Sequence, residues 1–281
     1  MDFAAAAAAG AKSVVMGVAP SGGALKEEWI SALSEALHAG LAVVSGLHRK
    51  LGEEAALAEA AAAAGQLLID LRVTPSSIPI ASGRQRSGKR LLMVGTDCCV
   101  GKKYSALALH KALVARGMVA TFRATGQTGI MIAGVGIPMD AVVSDFLSGA
   151  AEMLSPDAAP DHWDVIEGQG SLFHPAYAAV TLGLIHGSQP DAMVLCHAVG
   201  RTMIDEYADY PVPDLRDCVA QYEQAARVTN AQARVVGISL NTEGLDDASA
   251  LSACDEVGAL TGLPCADPMR HLLDGILDAL P

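Results

Sequence analysis

Several features that would indicate other classes of protein are missing from this sequence. Its 19 Lys and Arg residues are outnumbered by 31 Asp and Glu residues, which gives a formal net charge of −12. Nucleic-acid binding rests on basic side chains that neutralise phosphates, so this balance argues against a nucleic-acid partner and against an anionic membrane surface. We find no signal peptide and no apolar run long enough to span a bilayer, and therefore expect a cytoplasmic protein.

Common metal and nucleophile motifs are also missing. The six Cys residues include no C-x-x-C and no Cys/His pair at zinc spacing, and the eight His residues include no H-E-x-x-H. Ser171 lies in a glycine-rich turn, but Gln169 occupies the position where a G-x-S-x-G nucleophile elbow needs glycine. We therefore predict reduced thiols and no metal site.

Apolar segments alternate with helical patterns through most of the chain. Three apolar segments near the N-terminus predict strands, at residues 13–19, 41–45 and 67–72, with a turn at residues 20–23. Helical patterns separate these strands, as the crossovers of a parallel sheet require. We predict an α/β protein with a small Rossmann-like domain at residues 1–75, a linker at 76–90 and a P-loop-type parallel-sheet domain at 91–281.

The strongest functional signal spans residues 91–104. Four apolar residues predict a buried strand, the sequence G-T-D-C-C-V-G-K follows at residues 95–102, and an apolar-periodic segment predicts a helix from Tyr104. Backbone N–H groups at a helix N-terminus, together with a lysine, bind phosphates. The loop departs from G-x-x-x-x-G-K-[ST], because glycine stands at 95 rather than 96 and Lys103 replaces the hydroxyl that binds Mg²⁺.

Two polar segments follow predicted strands. The sequence T-G-Q-T-G at residues 125–129 follows the strand predicted at 119–124, a position where open α/β sheets bind ligands. Glu167 follows a short apolar strand at residues 163–166. A carboxylate in this position faces the phosphate loop and holds Mg²⁺ or a catalytic proton, although a residue that merely caps the turn is the alternative.

The linker is unusually basic for an acidic protein. Its four cations are Arg84, Arg86, Lys89 and Arg90. Two interpretations are open: a solvated linker, or a clamp on a phosphate bound at the loop that follows.

Taken together, the motifs resemble two families. The phosphate loop, E-G-x-G at residues 167–170 and S-L-N-T at 239–242 are similar to segments of dethiobiotin synthetase that bind phosphate, metal and adenine. A closer similarity covers nearly the whole chain and includes G-V-A-P-S-G-G at 17–23, V-S-G-L-H at 44–48, D-L-R at 70–72, T-G-Q-T-G at 125–129 and E-G-Q-G-S-L at 167–172. This second family, long described as a domain of unknown function, is associated with D-glutamate N-acetyltransferase.

The closer resemblance implies transfer of acetyl from acetyl-CoA to the amino group of a D-amino acid. D-Glutamate is the leading candidate for this acceptor. The residues expected to bind acetyl-CoA are Gly95, Thr96, Val100, Gly101, Lys102, Lys103, Tyr104 and, for adenine, Asn241. The candidate catalytic residues are Glu167, Asp97 and Asp145 as general base and Ser171 as a hydrogen-bond donor. The candidate acceptor-binding residues are Arg123, Arg201, Arg84, Thr125 and Gln127.

Two alternative functions are kept. One is a ligase or kinase of the dethiobiotin synthetase type that uses Mg-ATP, against which Lys103 argues. The other is a nucleotide-sensing module without catalysis, against which Glu167 argues. In each case we expect a small-molecule ligand and a homo-oligomer.

Overall fold

The computed structural model describes residues 2–18 and 25–281, so the turn predicted at 20–23 lies outside the described residues. The strands are β1 Ser13–Val15, β2 Ala42–Ser45, β3 Leu68–Asp70, β4 Lys89–Gly95, β5 Ala120–Arg123, β6 Trp163–Ile166, β7 Ala192–Ala198, β8 Met203–Ile204, β9 Tyr207–Pro211, β10 Arg234–Asn241 and β11 Cys265–Ala266. The helices are α1 Phe3–Ala8, α2 Glu27–His38, α3 Ala55–Ala64, α4 Lys102–Ala115, α5 Gln127–Ala133, α6 Leu147–Leu154, α7 Ala178–Ser188, α8 Leu215–Ala226, α9 Asp247–Thr261 and α10 Asp274–Asp278.

The N-terminal strands form a three-stranded parallel sheet in the order β1-β2-β3. Val43 and Leu68 pack with Leu33 and Leu37 of α2 and Leu57 of α3 in a small core. Apolar residues three or four positions apart put one face of each helix on the sheet. The alternation predicted for this region is confirmed, although β1 and β3 are shorter than predicted.

The second sheet has six parallel strands in the order β11-β10-β7-β4-β6-β5. The strand that leads into the phosphate loop, β4, therefore lies in the middle, between β7 and β6. Separate cores cover the two faces of the sheet, one including Leu92 and Tyr222 and the other including Leu109 and Trp163. A sheet buried on both faces gives continuous apolar strands, and the predicted α/β fold is confirmed.

The segment between β3 and β4 contains no helix or strand, but it is not a solvated linker. Arg86 is buried, donates to the carbonyls of Ser155 and Gly187 at 2.9 and 2.7 Å, and has a pKa lowered by burial. Arg84 pairs with Asp157 at the surface. The interpretation that these cations clamp a phosphate has no support in their contacts, because all four bind other protein groups. We keep the division into residues 1–75, 76–90 and 91–281 as a proposal.

Some elements differ from the sequence prediction or were not predicted. The 125–129 segment is only partly a loop, because α5 begins at Gln127. Helices α7, α8 and α9 and the antiparallel β8–β9 hairpin were not predicted. In the part of the chain that the structure describes, no helix is both long and apolar enough to cross a membrane.

Candidate active site

The phosphate loop has the geometry of an anion site. Strand β4 ends at Gly95, and α4 begins at Lys102 after Gly101, whose φ of 101° favours glycine. No side chain caps the N-terminus of α4, so the helix dipole and its first N–H groups remain available to a ligand. Lys102 is buried and donates from Nζ to the Asp97 carbonyl at 2.7 Å. Burial lowers the pKa of this lysine, and a phosphate bound beside it would act in the opposite direction by stabilising the charged ammonium.

Asp97 holds the loop in place rather than serving as a base. Its Oδ1 accepts from Cys98 N, while Oδ2 accepts from Arg201 Nη1 at 2.9 Å and from Asp205 N at 2.8 Å. The side chain is fully buried. Both oxygens of Asp97 therefore already accept hydrogen bonds. Arg201, which was predicted to bind the acceptor, pairs with Asp97 of the phosphate loop and with Asp205 of the β8–β9 hairpin.

One cluster in the described part of the chain brings metal-ligand atoms together. Single ligand atoms of Asp97, Cys98 and His174 lie within 4.8 Å of one another. Burial raises the pKa of the Cys98 thiol to about 11, which opposes the thiolate that metals and nucleophilic chemistry require. His174 Nδ1 accepts from Ala176 N at 3.1 Å. With three candidate ligands and an occupied Asp97, the cluster does not fit a structural zinc site, which has four.

Glu167 follows β6 and lies beside the phosphate loop, since β6 pairs with β4. Its Oε2 accepts from the N–H groups of Thr125 and Gly126 at 2.9 and 3.0 Å, and Oε1 makes no hydrogen bond with a described residue. Burial raises the pKa of this carboxyl, whereas the two N–H groups and the positive charge of Lys103 act in the opposite direction. A carboxylate with a raised pKa is a stronger base than an ordinary glutamate, which suits a general base. The arrangement also means that the N–H groups of Thr125 and Gly126 are not available to a substrate oxyanion.

Glu167 and the phosphate loop share a cleft of about 500 Å³. Seven of the predicted site residues line it: Gly101, Lys102, Lys103, Tyr104, Gln127, Glu167 and Asn241. A neighbouring slot of about 270 Å³ shares Gly101, Tyr104 and Asn241 and adds Val100, Pro268 and Met269. The slot lies between α4 and the end of β10. Most of the surface exposed in its walls is apolar.

Other predicted residues support the cleft without lining it. Gly95 and Thr96 are buried, and Thr96 Oγ1 is hydrogen-bonded to His197 Nδ1 at 2.9 Å. Burial lowers the pKa of His197 to about 4, so this imidazole is neutral. Thr125 donates from Oγ1 to the Glu167 carbonyl at 2.8 Å.

Four predictions placed residues in the site that the structure does not bring there. Arg123 donates to Asp164 at 2.6 Å, and Arg84 pairs with Asp157. Asp145 lies on an exposed 3-10 turn outside the residues that line the cleft. Ser171 is buried in a turn where its Oγ accepts from Phe173 N at 3.2 Å.

Several residues that line the cleft were not predicted, and three of them make side-chain contacts there. Arg72 and Asp140 line the cleft and form an ion pair with each other. Gln169 lines it too and donates from Nε2 to the Thr125 carbonyl at 2.6 Å. The D-L-R motif ending at Arg72 was the available signal, since it places a cation at the carboxyl end of a strand.

Comparison with known proteins agrees with the two-domain arrangement. The family described as a domain of unknown function, DUF1611, matches with its P-loop domain over residues 79–277 and with its Rossmann-like N-terminal domain over residues 1–74. The chain belongs to the DUF1611 family. A crystal structure of a DUF1611 family protein from Anabaena variabilis is similar at a TM-score of 0.90 and 40% identity, covering 99% of this chain and 82% of that one.

Two curated proteins similar to this DUF1611 chain are named D-glutamate N-acetyltransferase. The protein from Tritonibacter scottomollicae is 50% identical over 275 residues, which is 98% of this chain and 83% of the relative. The protein from Pseudoalteromonas sp is 46% identical over 272 residues, which is 97% of this chain and 82% of the relative. The family resemblance predicted from the motifs is confirmed, and the relatives' shared name agrees with the predicted acyltransferase class.

Proposed function

We propose that the protein transfers the acetyl group of acetyl-CoA to the amino group of D-glutamate. The observation that carries this proposal is the name shared by two relatives that align with at least 97% of the chain at 46–50% identity. The site supports it independently, because it combines an anion-binding loop, an apolar slot and a buried carboxylate.

The CoA end of the donor matches the loop and the slot. Acetyl-CoA carries a pyrophosphate, a 3′-phosphate and an adenine. The open N-terminus of α4, with Lys102 and Lys103, offers positive charge to a phosphate. Tyr104 and Met269 offer the slot's apolar surface to the adenine, with Asn241 at its edge.

The chemistry requires a base and a way to bind a charged acceptor. The acceptor ammonium must lose a proton before its nitrogen attacks the thioester carbon, and the base in this proposal is Glu167, which lines the cleft and whose two side-chain hydrogen bonds with described residues both use Oε2. As the tetrahedral intermediate collapses, the C–S bond breaks and the CoA thiolate leaves, taking up a proton. Gln127, which lines the cleft, offers a side-chain donor to the transient oxyanion.

An assay with both glutamate enantiomers tests the proposal. Purified protein is mixed with acetyl-CoA and D- or L-glutamate, free CoA thiol is titrated, and the acetylated product is identified by mass spectrometry. We expect thiol release with D-glutamate above the rate without acceptor. Absence of release with either enantiomer, or a reaction that needs Mg-ATP, would contradict the proposal.

Three further expectations stay predictions. A homo-oligomer is checked by light scattering on the purified protein, and a cytoplasmic location by fractionation of cells. From the net charge of −12 we expect no nucleic-acid partner, which a gel-shift titration checks.

A further inference from the structure

Arg72 brings a cation from the N-terminal sheet into the cleft of the other domain. It follows β3 by two positions, and its side chain is only 12% exposed. Nε donates to the Gly46 carbonyl and Nη1 donates to Asp140 Oδ2, so the side chain is held from both domains. It lines the cleft together with Lys103 and Glu167.

The other arginines considered for acceptor binding lie outside this cleft. Arg84, Arg123 and Arg201 each pair with an aspartate, and none of them lines the cleft. Among the described residues, Arg72 is therefore the one arginine in the cleft wall. A guanidinium is the side chain whose planar fork best matches a carboxylate.

The contacts of Arg72 leave part of that fork available. Nε and Nη1 are engaged, but Nη2 makes no hydrogen bond with any described residue. Asp140 shows that a carboxylate reaches this guanidinium at the cleft wall. An incoming carboxylate has two routes to Arg72: it binds Nη2 beside Asp140, or it takes the place of Asp140.

We propose that Arg72 binds a carboxylate of the acceptor amino acid, so that the N-terminal domain supplies part of the acceptor site. This inference rests on the proposed function for the identity of the acceptor. It divides the acceptor's charges between two walls: the ammonium lies towards Glu167, and a carboxylate lies towards Arg72. Lys102 and Lys103 are left for the phosphates of the donor.

Steady-state kinetics on matched variants test the role of Arg72. Arg72→Gln should raise KM for D-glutamate about 10- to 100-fold, the loss expected for hydrogen bonds to a charged group, while KM for acetyl-CoA changes less than about twofold. Arg72→Lys keeps the charge but loses the fork, so we expect an intermediate rise. Arg49→Gln, in the same domain and paired with Glu54, is the control and should leave both KM values unchanged.

Asp140→Asn separates binding from a purely structural role. If the pair only joins the domains, Asp140→Asn and Arg72→Gln should raise KM for D-glutamate alike, and that result would overturn the inference. If Arg72 binds the acceptor, Asp140→Asn frees the guanidinium and should not raise this KM. An Arg72→Gln variant with a normal KM for D-glutamate would also overturn it.

Calorimetry with glutarate distinguishes failure of this inference from failure of the proposed function. Wild-type protein inactive on D-glutamate would count against the proposed function alone. Glutarate carries two carboxylates and no ammonium, so its binding probes the cation directly. We expect wild-type protein to bind glutarate and Arg72→Gln to bind it about tenfold or more weakly. Equal binding by the two proteins would refute the role of Arg72.

Discussion

At the scale of single residues, the two carboxylate oxygens of Glu167 differ in their hydrogen bonds. Oε2 accepts two backbone N–H groups just before α5, which fixes the carboxylate, whereas Oε1 makes no hydrogen bond with a described residue and is the oxygen that we propose for the substrate. Gly129 permits this arrangement, because a Cβ at that position would collide with the carboxylate. The base is thus positioned by backbone atoms, which do not depend on side-chain rotamers.

Glu167→Gln should reduce kcat by about 10²- to 10⁴-fold, the usual contribution of a general base. Because burial raises the pKa of Glu167, the wild-type rate should fall on the acid side at a pH above the ordinary range of a glutamate. Rates measured from pH 5 to 9 check both points. A variant with full activity, or a wild-type rate flat through the acid range, would rule out this base.

The stability of the same variant provides the control for folding. A carboxyl with a raised folded-state pKa lowers stability once it ionises, so the folded protein loses stability as pH rises through that pKa. Glu167→Gln should therefore unfold at a higher temperature than wild type at neutral pH. The difference should vanish below the pKa of an unfolded glutamate. A lower melting temperature at neutral pH would show that the variant is damaged for another reason.

Some of these residues were predictable and others were not. Glu167 and Lys102 follow from local rules, because a carboxylate at a strand end and a lysine after a glycine loop have defined positions in a parallel sheet. Arg72 and Asp140 are 68 positions apart and meet across two domains. No local pattern encodes such a pair. The ion pairs of Arg123 and Arg201 could not be predicted for the same reason, since Asp164 and Asp97 lie far away in sequence.

At the scale of elements, α4 presents its N-terminus and two lysines to the ligand. Lys103 takes the position of the Mg²⁺-binding hydroxyl, and its Nζ lies 4.6 Å from the centre of the Tyr104 ring. Lys103→Gln should raise KM for acetyl-CoA about tenfold and make it less sensitive to salt, because one charge contact with phosphate is lost. Titrations at low and high ionic strength check this. A rise in KM for D-glutamate alone would contradict it.

Helix α8 supports the phosphate loop through one hydroxyl. Tyr222 is fully buried, donates to the Gly95 carbonyl at 2.6 Å and accepts from Leu172 N at 3.1 Å. Tyr222→Phe leaves two buried backbone groups unpaired and should cost about 1–3 kcal/mol in the free energy of unfolding, measured by urea titration. Tyr210→Phe, on the exposed side of β9, should cost nothing. Equal stability of the two variants would contradict this role.

Two of the three helices that were not predicted, α7 and α9, lack a clear periodic pattern. Helix α7 has the sequence A-A-V-T-L-G-L-I-H-G-S, which is apolar on most sides because it packs against α6, α8 and the sheet. Helix α9 has many small residues, with four Ala and two Ser in D-A-S-A-L-S-A-C-D-E-V-G-A-L-T. In α8, by contrast, Leu215, Cys218 and Tyr222 recur at helical spacing. This helix could therefore have been predicted from the sequence.

At the scale of the whole molecule, the site depends on close contact between the two domains. Gly46, at the end of β2, packs so tightly on Gln127 that a Cβ would overlap the side chain of Gln127, including its Cβ. Gly46→Ala should therefore shift the domains, lower stability by about 1–3 kcal/mol and raise KM for D-glutamate. Calorimetry with CoA should show nearly unchanged donor binding, since the phosphate loop lies within one domain.

Gly52→Ala is the matched control for this prediction. Nothing lies within 4 Å of a Cβ built at Gly52, so the same chemical change there should leave stability and both KM values as in wild type. If Gly46→Ala behaves like Gly52→Ala, the contact between the domains does not shape the acceptor site. The fold class was predictable from alternating strands and helices, whereas this contact was not, because it depends on how two finished domains meet.

The ion pair between Arg72 and Asp140 has a consequence for how this family diversifies. Under the proposed function, the donor would be held by one domain alone, whereas the acceptor would contact Arg72 of the other domain as well as Glu167. Part of the acceptor choice is then inherited separately from the donor choice. Exchange of residues 1–74 between relatives should shift acceptor preference and preserve use of the same donor, provided that the recombined halves keep glycine at position 46.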